Sequence, residues 1–154
     1  MEDLRFSWEL FFTDLLKVLI AFVLALPIAL ERERTTRTAG LRTFPLVAVA
    51  SCGYVLVAIA SIGAEADAQA RVIQGLMSGI GFIGGGAILK GNGTVQGTAT
   101  AASIWTTGAL GAAVAYAHYE IAVLMSAINY LTFRVLTPIE QHMDTAEQQE
   151  KDEE

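Results

Sequence analysis

The sequence is poor in the residues from which metal centres, redox sites and disulfide frameworks are built, with one cysteine, Cys52, and two histidines, His118 and His142, in 154 residues. A lone cysteine inside an apolar run excludes a disulfide framework and a Cys/His zinc pattern. The histidines fall at a short turn and in the C-terminal tail, with no partner at ligand spacing. Catalytic signatures are missing too. There is no Gly-x-Ser-x-Gly elbow, no His-Glu-x-x-His helix and no Walker lysine followed by Ser or Thr, so the expectation is a protein that is not an enzyme and carries no cofactor. Gly79-Ile80-Gly81-Phe82-Ile83-Gly84 matches a dinucleotide fingerprint by letter, but it lies in an apolar helix and joins no strand to one. Positive charge is scarce: ten Lys and Arg stand against sixteen Asp and Glu, and the one basic cluster is short and mixed with glutamates. That argues against a nucleic-acid partner.

What the chain has in abundance is apolar sequence, 53% of it hydrophobic, with a mean hydropathy of +0.47. The excess is blocked. Charges gather near the N-terminus, at 31–42, at 65–71 and at 140–154, and the stretches between are about the length that crosses roughly 30 Å of hydrocarbon. The fold expected is all-α, a polytopic membrane bundle of five transmembrane helices at 13–30, 44–62, 72–89, 97–117 and 121–136. Residues 1–139 form this domain. The remainder, 140–154, holds seven of the sixteen acids, has no apolar periodicity and reads as a disordered cytoplasmic tail.

The N-terminus is acidic ahead of the first apolar run, unlike a cleavable signal. Phe6, Trp8, Phe11 and Phe12 suit an interfacial belt, and Asp14 and Lys17 are one turn apart and able to pair. Pro27 should kink the first segment. Arg32, Arg34, Arg37 and Arg42 follow it and, by the positive-inside rule, place this turn in the cytoplasm. The N-terminus is then periplasmic and, after five crossings, the C-terminus is cytoplasmic. Lys90-Gly91-Asn92-Gly93-Thr94 reads as a tight turn on the cytoplasmic side.

The third segment is expected to be the centre of the bundle. Its glycines, Gly75, Gly79, Gly81, Gly84, Gly85 and Gly86, together with Ser78, leave it bulky on one side only. Small residues let membrane helices approach closely. A second, compatible reading is that Gly84-Gly85-Gly86 loosens the helix and turns carbonyls towards a cavity. The fourth segment offers Thr100, Ser103 and Thr107 on one face, a small polar stripe suited to helix contacts.

Glu31, Arg32, Glu33 and Arg34 alternate in sign, which fits a lipid anchor less well than a run of arginines would. With Arg42, Thr43 and Lys90 they form a candidate polar cluster at one membrane end. Glu31 either pairs with Arg42 or Lys90 or binds a cation, and Glu31 and Glu33 are the candidate metal ligands.

The order ALERER, AGLRT, SGIGFIGGGAIL and GTATAASIW, over about residues 19–117, resembles the membrane domain of the MgtC/SapB family, in its short form without the soluble C-terminal domain of longer members. The matching positions are Glu31, Arg32, Glu33, Ala39, Gly40, Leu41, Arg42 and Thr43, then Ser78, Gly79, Gly81, Phe82, Gly84 and Gly86, then Gly97, Ala101, Ala102 and Trp105. The resemblance implies a small bacterial inner-membrane protein tied to magnesium homeostasis and growth at low magnesium, with Mg2+ as the regulated ion. Some members restrain the proton-translocating ATP synthase. Membrane lipid and a membrane-protein partner or a second copy are the expected contacts. The other functional class in view is a small channel or transporter for divalent cations or protons.

Overall fold

The structure, a computed structural model, describes residues 7–35, 39–63, 65–91 and 94–140. It has five α-helices: α1 Trp8–Thr35, α2 Thr43–Ile62, α3 Ala66–Gly86, α4 Thr98–Ala115 and α5 Tyr119–Leu131. α5 continues through a π-helical turn, Thr132–Leu136, so that one helix runs over Tyr119–Glu140. Pro138 explains the widening, because it can neither donate to the carbonyl of Arg134 nor tolerate that carbonyl beneath its ring. The all-α expectation holds, with one addition: strands β1, Leu89–Gly91, and β2, Thr94–Gln96, pair antiparallel across the expected turn.

Three helical stretches are long and apolar enough to cross a membrane, Trp8–Arg34, Thr43–Ile62 and Tyr119–Glu140. α1 exceeds its expected range at both ends. At 28 residues it is about 42 Å long at ~1.5 Å per residue, and Pro27 lies inside it. Glu and Arg are good helix formers, so the ERER stretch extends α1 by a further turn instead of ending it. The acidic tail, apart from Glu140, lies outside the described residues, as do Phe6 of the aromatic belt, Arg37 of the basic cluster and Asn92-Gly93 of the turn.

The centre of the bundle is α4, not the glycine-rich α3. α4 packs on all four other helices, which follow one another around it in the order α5, α1, α2, α3. Its buried residues are Thr100, Ser103, Ile104, Thr107, Gly108, Leu110, Gly111, Val114 and Ala115, whereas α3 buries only Ile80 and Gly84. A Cβ added at Gly75, Gly79, Gly81, Gly85 or Gly86 would meet nothing within 4 Å. On α4 the small residues are required: a Cβ on Gly111 would strike the carbonyl of Ala48 in α2, and one on Gly108 the side chain of Ile80 in α3. The rule that small residues mark close approach is sound. Glycine content alone does not say which small face meets a backbone and which stays open.

Polarity is distributed inside out. Leu46, Tyr54, Val57, Phe82 and Ile128 are exposed, while Glu31, Arg32, Thr100, Ser103, Thr107, Ser126 and Asn129 are buried. Hydrocarbon solvent selects this arrangement, since an apolar surface costs nothing there and polar groups must find partners within the protein.

Candidate functional site

Because α1 stays helical past the apolar run, Glu31 and Arg32 are carried into the bundle, where they are 7% and 5% exposed. Arg32 reaches two other helices. Its Nη2 donates a hydrogen bond to Oγ1 of Thr100 on α4, and its Cζ lies 4.3 Å from the ring centroid of Phe133 in the π-helical turn. A buried guanidinium is costly unless hydrogen-bonded and compensated, and an aromatic face in a desolvated site contributes about 2 kcal/mol. The junction ties α1, α4 and the end of α5 at one point.

A polar seam continues from there along α4. Ser103 Oγ donates to Asn129 Oδ1 at 2.8 Å, and Asn129 Nδ2 donates to the Ser103 carbonyl at 3.3 Å. Thr107 Oγ1 donates to the same carbonyl at 2.8 Å. Further along, Ser126 Oγ of α5 donates to the carbonyl of Leu24 in α1 at 2.6 Å. The expected stripe of Thr100, Ser103 and Thr107 is therefore spent on bonds inside the bundle.

The rest of the predicted charged cluster is arranged differently. Glu33 is exposed, and its Oε2 accepts from the Leu41 amide at 3.0 Å. Gly40 lies directly against that carboxylate, with no room for a Cβ, and its carbonyl accepts from Thr43 N at 3.1 Å. Glu33, Gly40, Leu41 and Thr43 thus form the joint that turns α1 into α2. Arg34, Arg42 and Lys90 are exposed and Thr43 is half-buried. Among the described residues, no three His, Cys, Asp or Glu side chains come together as a metal-holding group.

Gly84 is the one glycine of α3 set against a neighbouring backbone, with its virtual Cβ 3.1 Å from the carbonyl of Ala101. The carbonyls of Gly84 and Gly85 accept from Ala87 N at 3.0 Å and Ile88 N at 3.1 Å. They close the helix end; the helix is not opened there. Ser78, Gly75, Gly79, Gly81, Gly85 and Gly86 are exposed.

At the opposite end of the bundle, Lys17 Nζ donates to the carbonyl of Ala115 at 3.0 Å, capping the last turn of α4 in place of the expected pairing with Asp14. Tyr116 OH donates to Gln69 Oε1 at 2.5 Å.

Phe133, Asn129 and Ser126, which contact Arg32, Ser103 and the Leu24 carbonyl, are members of this junction and seam that sequence reasoning missed. They recur at spacings of three and four, one helix face. Asn129, an amide in an apolar run, was a readable signal for an intramembrane contact.

A multi-helix membrane bundle with a buried arginine at one end and a polar seam through its middle is the class that these observations define. The MgtC family model matches residues 18–142, and the chain belongs to that family. It is 37% identical to Protein SrpB of Synechococcus elongatus, over 75% of this chain and 70% of that protein. It is 33% identical to Protein MgtC of Salmonella typhimurium, over 77% of this chain and 50% of that one. With the protein of Escherichia coli called Putative magnesium transporter YhiD it shares 29% identity, over 79% of this chain and 59% of that one. The chain thus spans between 50% and 70% of the length of these relatives. No solved structure matches it.

Proposed function

We propose that this chain is a non-enzymatic bacterial inner-membrane protein linked to magnesium homeostasis and growth at low magnesium, acting through another membrane complex such as the ATP synthase. The observation that carries this reading is where the polar side chains are spent. Thr100 and Ser103, which a conduction path would need along its wall, bond Arg32 and Asn129 instead. Family membership supplies the link to magnesium. In this reading the chain crosses the membrane five times, with the N-terminus periplasmic and the C-terminus cytoplasmic. The exposed Arg34, Arg42 and Lys90 at one end of the bundle support that orientation.

The second reading, a small channel or transporter for divalent cations or protons, is favoured by the buried Glu31 and Arg32 at one membrane end and by the name of the YhiD relative. Purified protein in sealed liposomes separates the two. The regulator predicts magnesium and proton flux no faster than in protein-free vesicles. Flux that scales with protein content would overturn it and establish the transporter.

A further inference from the structure

α3 is seated tightly on its neighbours only in its last third. There the side chain of Ile80 fills the space left by Gly108 of α4, and Gly84 lies against the Ala101 carbonyl, its virtual Cβ 3.1 Å away. Ile80 and Gly84 are also the two buried residues of the helix. Nearer its N-terminus, Ile73 and Leu76 are half-buried against the core, and a groove runs along each flank. One, of about 400 Å³, separates α3 from α2 and is lined by Ser51, Tyr54, Gly75 and Gly79 among others. The other, of about 290 Å³, separates α3 from α4 and reaches from Ile80 and Gly108 to Tyr116. A Cβ at Gly75 or Gly79 would meet nothing within 4 Å, so there is clearance on the α2 side. Lipid tails are as apolar as the helices, and exchanging one contact for the other there has little cost.

The first turn of α3 is held by polar bonds. Tyr116 OH, just past α4, donates to Gln69 Oε1 at 2.5 Å, and Gln69 Nε2 donates to the carbonyl of Gly63 at the end of α2. Among the described residues, these are the side-chain hydrogen bonds that tie α3 to other elements. Gln69 stands about 16 Å along the helix from Ile80 at ~1.5 Å per residue. The helix is thus an arm with a seat at one end and a bond to α4's end at the other. Tyr116 also lines an open depression of about 710 Å³ at this end of the bundle, together with Lys17, Gly63 and Gln69. It is the wall common to that depression and to the groove between α3 and α4.

We infer that α3 rocks about Ile80 and Gly84, and that the hydrogen bond from Tyr116 to Gln69 is the latch that holds its N-terminal part against α4. When the latch opens, the bond to Gly63 keeps Gln69 with the end of α2, and the arm moves into the clearance beside Gly75 and Gly79. The groove on the α4 side then widens and joins the depression. Glycine on the α2 face of α3 is what leaves room for the stroke. The device serves a regulator and a transporter alike.

The test is a set of spin-label distances on the full chain in lipid nanodiscs, in a Cys52→Ala background, with labels at exposed positions. One pair, Arg71→Cys with Leu131→Cys, reports the arm of α3 against α5; a second, Leu16→Cys with Leu131→Cys, reports α1 against α5. With the latch intact, each pair should give one main distance. Tyr116→Phe should add a second Arg71–Leu131 distance, raising its share about fivefold, the effect of one hydrogen bond, and leave the Leu16–Leu131 distance unchanged. Gly75→Leu fills the clearance, so in the Tyr116→Phe protein it should remove that second distance. A Gly86→Cys label, beyond the seat, should hold its distance to Leu131 throughout. An Arg71–Leu131 distribution that Tyr116→Phe leaves unaltered overturns the latch, and equal broadening of both pairs shows general loosening and overturns it too. A shift at Gly86 as large as that at Arg71 means that α3 detaches as a whole, and persistence of the second distance in the Gly75→Leu protein means that the arm moves elsewhere; either one overturns the rocking motion. Gln69→Leu removes the same bond from the other side and decides the question if Tyr116→Phe does not fold.

Discussion

Arg32 and Phe133 meet with the guanidinium carbon 4.3 Å from the ring centroid, and this contact joins the first and last helices of the chain beside the hydrogen bond to Thr100. Removing the ring while keeping an apolar side chain, as in Phe133→Leu, should destabilise the protein in detergent by about 1 to 2 kcal/mol. Arg32→Lys keeps the charge but not the planar fork, and should not restore stability. A double-mutant cycle of Arg32→Met and Phe133→Leu, followed by thermal or denaturant unfolding, should give a coupling of at least ~0.5 kcal/mol. Strict additivity would show that the two residues are neighbours without interaction.

The position of Gly111 against the Ala48 carbonyl predicts opposite fates for two glycine substitutions. Gly111→Ala forces α2 and α4 apart and should cost roughly 1 to 3 kcal/mol. Gly79→Ala meets open space and should be neutral or stabilising by up to about 1 kcal/mol through helix propensity. Folded yield after size-exclusion chromatography and the thermal midpoint both read this out, and an equal loss at the two positions would return α3 to the centre of the bundle.

Ser103 and Asn129 exchange two hydrogen bonds across α4 and α5. Asn129→Leu leaves the Ser103 hydroxyl without this acceptor, so a loss of about 1 to 2 kcal/mol is expected. Replacing both partners, Ser103→Ala with Asn129→Leu, should recover part of it, since the stranded hydroxyl is then gone. Chemical unfolding of the three variants checks the order.

Glu33 separates a structural carboxylate from a metal ligand. Its Oε2 accepts one backbone amide, a role that the amide oxygen of glutamine also fills, so Glu33→Gln should keep a near-wild-type midpoint with and without magnesium. Glu33→Ala should lower the midpoint by an amount on the order of 1 kcal/mol. If Glu33→Gln instead abolished a stabilisation by added magnesium, the carboxylate would have to be assigned to the ion.

Much of this fold could be read from the chain because lipid imposes simple rules on it. The limits of α2, expected at 44–62 and found at Thr43–Ile62, follow from an apolar run that begins beside Pro45. The stripe of Thr100, Ser103 and Thr107 was legible because polar groups in hydrocarbon must bond inward. The identity of the central helix was not. α3 and α4 are both rich in small residues, and what separates them is a long-range fact: the backbone of Ala48 lies against Gly111, while nothing lies against Gly79. Arg32 was named in the charged cluster, but its burial depends on α1 continuing as a helix beyond the apolar run, which hydropathy does not reveal.

The contacts of Lys17 with Ala115 and of Arg32 with Thr100 together act as a ruler. Lys17 and Arg32 are fifteen residues apart on α1, and Thr100 and Ala115 are fifteen apart on α4, so the antiparallel pair is clasped at two matching marks. Sliding either helix by one turn, about 5.4 Å, would misalign both clasps at once, and tilting one helix would open one of them. Whatever motion accompanies activity therefore has to leave α1 and α4 as a fixed post and fall on the helices around it, α3 above all, which buries only Ile80 and Gly84.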